Sequence, residues 1–455
     1  MFQTGARELL FVRSFKYLHE CSGRCKSAKR AKQRSALITV FVNRGFSHRH
    51  ERKRTMIQTA DFDYYAPTKV VFGRGAESRL GTLVREQGCK KVLIHYGGGS
   101  AVRSGLIARV EKALDEEGIG HIALGGVVPN PHLGLVYDGI ELGKKEGVDF
   151  ILAVGGGSVI DSAKAIAYGI ADPEEGDVWD FFVKKRPSKA CLPVGVVLTI
   201  AAAGSEMSND SVITNEKTGI KRGHGNDISR AKFAVMNPEL TMSLPDYQSM
   251  SGCTDIMMHT MERYFTNNGN MELTDSIAEG LLRTVRKYTE IIHAEPDNYE
   301  ARAEVMWAGS LSHNGLTGCG AKERDFTSHI LEHELGGMFD VTHGAGLAAI
   351  WGTWARYVYR DCLDRFVKFA VNVMDVEPGE TGEETALKGI EAMEAFYRRI
   401  GMPTSLHELG VDPTDEQIAV MAHNAIIASG GKKGSARVLY EDDFVRIYKA
   451  ARDDR

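Results

Sequence analysis

The sequence lacks any apolar run close to the roughly 20 residues that a membrane-spanning helix requires, so no membrane partner is predicted. It also lacks paired cysteines. Its seven cysteines are scattered, and only Cys21 and Cys25 lie close together, without a second pair that would complete a zinc knuckle. What remains is a globular composition, with 43% hydrophobic and 25% charged residues. These features predict a cytoplasmic protein with unpaired thiols and no nucleic-acid partner.

Acidic residues are scarce in the first 55 positions, which hold 14 Lys and Arg against 3 Glu. The rest of the chain holds 42 basic and 57 acidic residues. Three interpretations of this basic leader stay open: a transit-like peptide, an arm for nucleic acid or an anionic surface, or a segment that precedes the true start at Met56. We expect residues 1–55 to be non-native or disordered.

The length of 455 residues favours two domains. From Thr68 to about Leu244, short apolar runs alternate with amphipathic stretches, which predicts a parallel sheet covered by helices. The stretches 211–215 and 232–238 are interpreted as a late hairpin or as edge strands. After Leu244 only helical patterns follow. We therefore predict a dinucleotide-binding α/β domain over 56–244 and an all-helical metal-binding domain over 245–455.

Four residues of the second half are candidate metal ligands. Asp255 and His259 are four apart in a stretch without Gly or Pro, so a helix places them on one face. His329 and His343 would lie roughly 21 Å apart on one helix, but we expect Gly336-Gly337 to end that helix and a turn to bring His343 back. One carboxylate and three imidazoles suit a divalent first-row metal.

The strongest motif of the first half is GGGSVIDSAKAIA at 155–167, which directly follows the apolar strand FILAV. Glycines let the backbone approach a ligand closely, and the helix that opens at Ser158 turns its N-terminal amides towards an anion. The motif thus predicts a pyrophosphate site, although a bare turn in a parallel sheet would look the same.

A second glycine turn, YGGGS at 96–100, has no acidic residue before Glu111 that could accept a ribose 2′-hydroxyl. Gly98 and Ser100 leave room and a hydroxyl for a 2′-phosphate, which favours NADP(H) over NAD(H). A third segment, 198–222, places Thr199, Ser205 and Lys221 after a buried strand, where they suit phosphate or ribose contacts.

Taken together, these motifs resemble the iron-containing alcohol dehydrogenases, in the branch of butanol dehydrogenases and NADPH-dependent aldehyde reductases. The resemblance covers Phe62 to about Arg452, through PTKVVFGRGA, YGGGS, PNP, GGGSVIDSAK, AAGSEM, DIMMHTMERYF and HILEHELGGMFDVTHGAGLA. It implies an α/β N-terminal Rossmann-like domain, an all-α C-terminal domain as in dehydroquinate synthase-like folds, one Fe²⁺ or Zn²⁺ in the cleft, and a homodimer.

Carried over by residue, the resemblance implies the metal ligands Asp255, His259, His329 and His343. It implies a cofactor site formed by Gly98, Ser100, Asn130, Gly155, Gly156, Gly157, Ser158, Asp161, Thr199, Ser205 and Lys221. The implied reaction is hydride transfer between NADP(H) and a primary alcohol or aldehyde such as butanol or butanal.

His333 lies four residues after His329, so we predict that it faces the substrate gap and either relays a proton or only orients its neighbours. His313 and His423 are interpreted as surface or satisfied core residues. Apolar and small residues around Met257, Phe326 and Met338 suggest a short or medium aliphatic aldehyde as the substrate. Two other functions stay open, a dehydroquinate-synthase-like lyase and a catalytically silent nucleotide- or metal-binding protein.

Overall fold

A computed structural model describes residues 59–269 and 271–454 of the chain. The leader predicted over residues 1–55 lies outside the described residues. The described residues form eight strands: β1 Lys69–Phe72, β2 Lys91–Gly97, β3 Gly120–Val127, β4 Phe150–Gly155, β5 Val194–Leu198, β6 Asp210–Asn215, β7 Ile220–Gly225 and β8 Phe233–Met236.

The first half of the described chain also contains six helices: α1 Leu80–Arg85, α2 Ser100–Arg103, α3 Leu106–Glu116, α4 Leu133–Glu146, α5 Gly157–Ala171 and α6 Trp179–Phe182. The second half contains nine: α7 Asp246–Tyr264, α8 Glu272–Ala294, α9 Tyr299–His313, α10 Thr327–Phe339, α11 His343–Val358, α12 Leu363–Asn372, α13 Gly382–Arg399, α14 Asp415–Ala428 and α15 Glu441–Asp453. Among the described residues, no helix is long and apolar enough to cross a membrane.

Six strands form one parallel sheet in the order β1-β8-β5-β4-β2-β3. Every residue of β4 is buried, because helices cover both faces of the sheet. Phe150, Leu152 and Val154 pack with α1 and α3 on one face, while Ile151 and Ala153 pack with α5 on the other. This arrangement confirms the predicted α/β class and places the ends of β4 and β5 side by side.

The late strands are arranged differently from the sequence interpretation. Stretch 211–215 does form a hairpin, but its antiparallel partner is β7, and the two strands lie outside the main sheet. The prediction that 232–238 is a hairpin or edge strand is wrong, since β8 lies inside the sheet between β1 and β5. Its four residues FAVM are all buried, as an interior strand requires.

The second half packs its helices around one core that includes Phe265, Trp351, Trp354 and Phe366. The rings of Phe265 and Phe366 stack with their centroids 4.2 Å apart. The main sheet ends at Met236 and α7 begins at Asp246. The boundary that we predict after residue 244 lies in this interval and stays a prediction.

Candidate active site at the cleft between sheet and helices

The buried helix α7 carries the first two candidate ligands. It lies close to its neighbours because two glycines leave space: a Cβ at Gly252 would stand 2.4 Å from the Ala201 carbonyl oxygen, and one at Gly344 would stand 2.0 Å from that of Ser251. The second contact brings the start of α11, and with it His343, next to α7. Packing of backbone against backbone thus sets the distance between Asp255 and His343.

Three of the candidate ligands, Asp255, His259 and His329, bring their ligand atoms within 4.8 Å of one another. The Oδ1 atom of Asp255 lies 3.5 Å from Nε2 of His329 and 3.7 Å from Nε2 of His343. Asp255 Oδ1 and His329 Nε2 are buried without a hydrogen-bond partner among the described residues. Unpaired buried polar atoms are costly, so their convergence with His259 and His343 fits a bound cation.

Two glutamates hold the outer nitrogens of the imidazoles. His329 Nδ1 donates to Glu262 Oε2, and His343 Nδ1 donates to Glu332 Oε2. Glu262 also accepts the backbone N–H groups of Ser328, at 2.6 Å, and His329, at 3.2 Å, in the first turn of α10. A proton fixed on Nδ1 leaves the Nε2 lone pair free for a metal.

The charged groups of this cluster shift the pKa values of their neighbours. Burial alone would raise the pKa of Asp255, but the rings of His259 and His343 outweigh it and hold that pKa well below its usual range. Burial disfavours a charged His329, yet Glu262 beside it raises the pKa of His329 to about 9, so a cation that binds Nε2 must displace a proton from it. The carboxylates therefore stay ionised near neutral pH, as ligands for a cation should.

The glycine turn after β4 is built for a close approach to its neighbours. A Cβ at Gly156 would stand 1.9 Å from Cγ2 of Ile200, and one at Gly157 would stand 3.4 Å from the Ser205 hydroxyl. Helix α5 begins at Gly157 without a side-chain cap, so its first amides face the cleft. Thr199 donates its backbone N–H to the Gly155 carbonyl at 3.1 Å and places β5 beside the turn.

The glycine turn after β4 and the cluster of candidate metal ligands open into the same cavity, which has a volume of about 350 Å³. Its walls include most of the predicted site residues: Asn130, Gly156, Gly157, Ser158, Asp161, Ser205, Lys221, Asp255, His259, His329, His333 and His343. One space thus joins an anion-binding helix end to a candidate metal centre, which is the arrangement that a dinucleotide and a metal-bound substrate would require.

Comparison with known proteins identifies the family to which this architecture belongs. Residues 67–238 match the model of the iron-containing alcohol dehydrogenases, and residues 249–452 match that of the C-terminal domain of the same family. The chain belongs to the iron-containing alcohol dehydrogenase family. It is therefore an oxidoreductase of the NAD(P)-dependent alcohol dehydrogenase class, which confirms the resemblance inferred from the motifs.

Individual members of the family are similar over nearly their whole length. The NADH-dependent butanol dehydrogenase A of Clostridium acetobutylicum is 41% identical over 391 residues, which cover 85% of this chain and 98% of that protein. The NADPH-dependent aldehyde reductase of Escherichia coli is 34% identical, over 86% of this chain and 100% of that protein. The crystal structure of NADH-dependent butanol dehydrogenase A from Thermotoga maritima superposes with a TM-score of 0.83 at 38% identity, covering 87% and 99% of the two chains.

Some predicted residues of this iron-containing alcohol dehydrogenase lie at the edge of the cavity or outside its walls. Gly98 and Ser100 are exposed beyond the end of β2, outside the lining of the cavity. Met257 is fully buried in the helical core, so it does not shape the substrate gap as the sequence suggests. Gly336 and Gly337 do not end a helix either, since α10 continues through them to Phe339.

The sequence predictions omit Glu262 and Glu332, and the interpretation of His313 as a surface or satisfied core residue is wrong. His313 lines the cavity, with its ring centroid 3.9 Å from that of His259 and its Nε2 2.9 Å from Asp210 Oδ2. His423 is exposed beside Glu441, as predicted. Glu262 and Glu332 could have been found by helical spacing, because Glu262 follows Asp255 by seven residues and Glu332 follows His329 by three.

Proposed function

We propose that this chain is a metal-dependent aldehyde reductase and alcohol dehydrogenase that transfers a hydride between NADP(H) and a primary alcohol or aldehyde such as butanol or butanal. The observation that supports it most is a pair of buried atoms without a hydrogen bond, Asp255 Oδ1 and His329 Nε2, facing the cavity that also receives the start of α5. The names of the relatives, butanol dehydrogenase and aldehyde reductase, support the substrate class.

In this proposal Asp255, His259, His329 and His343 hold one Fe²⁺ or Zn²⁺. The carboxylate supplies negative charge and each histidine a neutral nitrogen, a donor set that suits either ion. When bound, the ion would supply a Lewis acid to the substrate oxygen and the nicotinamide would supply the hydride. Four protein ligands leave a position for that oxygen if the centre is five-coordinate.

The sheet half would bind the dinucleotide. The glycine turn would cradle the pyrophosphate through Gly155, Gly156, Gly157 and Ser158, with Asp161, Thr199 and Ser205 nearby. Gly98 and Ser100 would receive the 2′-phosphate. On the other wall of the cavity, Asn130 and Lys221 would border the cofactor. Asp161 also orders the cavity itself, since its Oδ2 accepts the backbone N–H of Val212 at 3.0 Å and anchors the β6–β7 hairpin.

His333 would hold the proton that accompanies the hydride. Its ring centroid lies 5.9 Å from that of His343 and 6.4 Å from that of His329, at the wall of the cavity. Burial, followed by the positive charge of Lys221, holds the pKa of His333 well below its usual range. A neutral imidazole can accept a proton on one nitrogen and donate from the other, as a relay requires.

A preference for NADP(H) over NAD(H) belongs to the proposal as well. It is supported by the absence of an acidic residue between Gly97 and Glu111, where a carboxylate would repel a 2′-phosphate. The names of the relatives divide between NADH and NADPH, so the cofactor must be measured. A homodimer and a cytoplasmic location complete the proposal; the free thiols of Cys89, Cys191, Cys253, Cys319 and Cys362 suit a reducing compartment.

Metal analysis of protein purified without oxygen tests the central claim. We expect about one Fe²⁺ or Zn²⁺ per chain in the wild type, and loss of both metal and aldehyde reduction in Asp255→Ala. His423→Ala, an exposed histidine that bonds Glu441, is the matched control. Full metal occupancy and normal turnover in Asp255→Ala would remove the ligand assignment.

The same protein, assayed with a panel of linear aldehydes and each reduced cofactor, tests the finer claims. We expect kcat/KM to be higher with NADPH than with NADH and to be highest among short and medium aliphatic aldehydes. Equal efficiency with both cofactors, or activity on acidic substrates alone, would contradict these two parts while leaving the oxidoreductase class untouched.

A further inference from the structure

The β6–β7 hairpin reaches from the sheet half onto helix α10. Lys221 of β7 places its Nζ 3.2 Å from Glu332 Oε2, 3.0 Å from Asn130 Oδ1 and 3.4 Å from His343 Nδ1. The Lys221 side chain is 5% exposed and that of Glu332 is fully buried. A buried carboxylate requires compensation of its charge, and Lys221 supplies it for the same glutamate that holds His343.

Asn130 holds the turn between α10 and α11 from the other side. Its Nδ2 donates to Asp340 Oδ1 at 2.8 Å and to the Val341 carbonyl at 3.3 Å, three and two residues before His343 respectively. Asn130 and Asp340 both have a φ of 52°, in the left-handed region that non-glycine residues rarely adopt. Both ends of the Asn130 amide are thus occupied by Lys221 and by the turn that leads into His343.

Gly336 and Gly337 provide the space for this contact. A Cβ at Gly336 would stand 3.1 Å from Lys221 Nζ and 3.6 Å from Asn130 Oδ1. A Cβ at Gly337 would stand 2.4 Å from the carbonyl oxygen of Gly219, in the hairpin turn. The approach of the hairpin therefore explains why α10 has a pair of glycines in its interior. The pair neither caps nor ends the helix.

A second ion pair fastens the same contact. Arg222, the neighbour of Lys221, donates to Glu334 Oε1 at 2.7 Å and to the Asn424 carbonyl at 3.3 Å. At its other end the hairpin is tied to the sheet half, because the buried Lys164 donates to the Asp210 carbonyl at 2.7 Å. The hairpin therefore connects the helix of the glycine turn with the helix that carries His329.

We propose that Lys221 and Asn130 are positioning residues for His343, so that the sheet half helps to set the metal affinity of the helical half. This inference rests on the proposed ligand set. Lys221 holds Glu332 Oε2 where it accepts from His343 Nδ1, and Asn130 fixes the turn from which His343 projects. This role is additional to any contact that the two residues make with the dinucleotide.

The test is the Zn²⁺ dissociation constant of the protein without dinucleotide, measured by competition with a chromophoric chelator. Lys221→Met removes the charge and preserves much of the length, and we expect Zn²⁺ to bind about tenfold more weakly, within the range of outer-shell effects. Lys221→Arg should restore most of the affinity. Lys217→Met, which alters an exposed lysine in the turn of the same hairpin, should leave the affinity unchanged.

A spectroscopic signature separates positioning from general loss of structure. In the Co²⁺-substituted protein, the visible d–d bands should shift in Lys221→Met and return in Lys221→Arg. Asn130→Gly and Asp340→Gly both tolerate the left-handed backbone, and we expect each to weaken Zn²⁺ binding about threefold. The double variant should lose no more than Asn130→Gly alone, because Asp340→Gly removes a bond that Asn130→Gly has already broken. This cycle decides the question if Lys221→Met fails to fold.

Two results would overturn the inference: Zn²⁺ affinity and Co²⁺ bands like the wild type in Lys221→Met, or strictly additive losses in the Asn130–Asp340 cycle. Weaker NADPH binding with unchanged Zn²⁺ affinity would assign both residues to the cofactor alone. A wild-type protein that binds no metal would instead remove the proposed function, so the two failures are distinguishable.

Discussion

The two walls of the cavity recognise their ligands by different means. The sheet wall presents backbone atoms, namely the glycine turn 155–157 and the uncapped start of α5. Its close contacts are possible because the glycines have no side chain. The helical wall presents side chains, and each imidazole that faces the candidate centre is oriented by a carboxylate or a backbone oxygen. The comparison teaches that the first wall should be damaged by adding atoms, and the second by removing charge.

The largest effect is expected from Glu262→Gln on the helical wall. An amide NH₂ facing His329 Nδ1 favours the tautomer with its proton on Nε2, which removes the lone pair that a metal needs, and we expect Zn²⁺ affinity to fall by about 100-fold. Binding of NADPH, measured by fluorescence, should change little. Glu279→Gln is the control, since this glutamate bonds the Tyr264 hydroxyl within the helical core.

Gly156→Ala tests the sheet wall. Its Cβ would overlap with Cγ2 of Ile200, so the turn must shift, and we expect NADPH to bind about 30-fold more weakly while the metal content stays at the wild-type level. Combining it with Ile200→Ala removes the overlapping atom and should restore most of the affinity. If the second substitution brings no recovery, the effect of Gly156→Ala is not steric.

His333→Gln probes the space between the walls. Glutamine preserves a polar side chain but cannot relay a proton by exchanging it between two ring nitrogens, and we expect kcat to fall about tenfold with KM and metal content unchanged. The loss should be largest at high pH, where protons are scarce. Turnover equal to the wild type across the pH range would reduce His333 to a structural residue.

The smallest effect concerns the support of the glycine turn. His95 of β2 is fully buried, with Nε2 2.8 Å from the Ser162 hydroxyl of α5, and burial lowers the pKa of His95 to about 4. The folded state therefore excludes a proton that the unfolded chain takes up below its ordinary pKa of 6.5. The contribution of His95 to stability is fully present above pH 6.5 and is lost as the pH falls towards the folded pKa.

At pH 6 the protonation of His95 in the unfolded chain should lower the free energy of unfolding by about 0.8 kcal/mol, as follows from the difference between its folded and unfolded pKa values. We expect the urea midpoint of the wild type to fall more steeply between pH 7.5 and 6 than that of His95→Gln, which cannot be protonated. Parallel midpoints for the two proteins would show that His95 is not the group responsible.

Much of this architecture was accessible from sequence because it depends on local spacing. The apolar run 150–154 with its glycines predicts a buried strand followed by a ligand turn, and Asp255 with His259 predicts one helix face. Strand order is different, since nothing local in 233–236 reveals that it lies between the first and fifth strands. Gly336-Gly337 was misinterpreted for the same reason: its explanation is a partner more than 100 residues away, Gly219.

The pairing of the first strand has a consequence for biosynthesis. Lys69 lies opposite Phe233, so β1 finds its partner only when a segment 164 residues further along has been made. Until then β5 also has an open edge, because β8 separates it from β1. During translation the growing chain must therefore carry an unpaired β1 and an open edge of β5 at the same time, until β8 has been made.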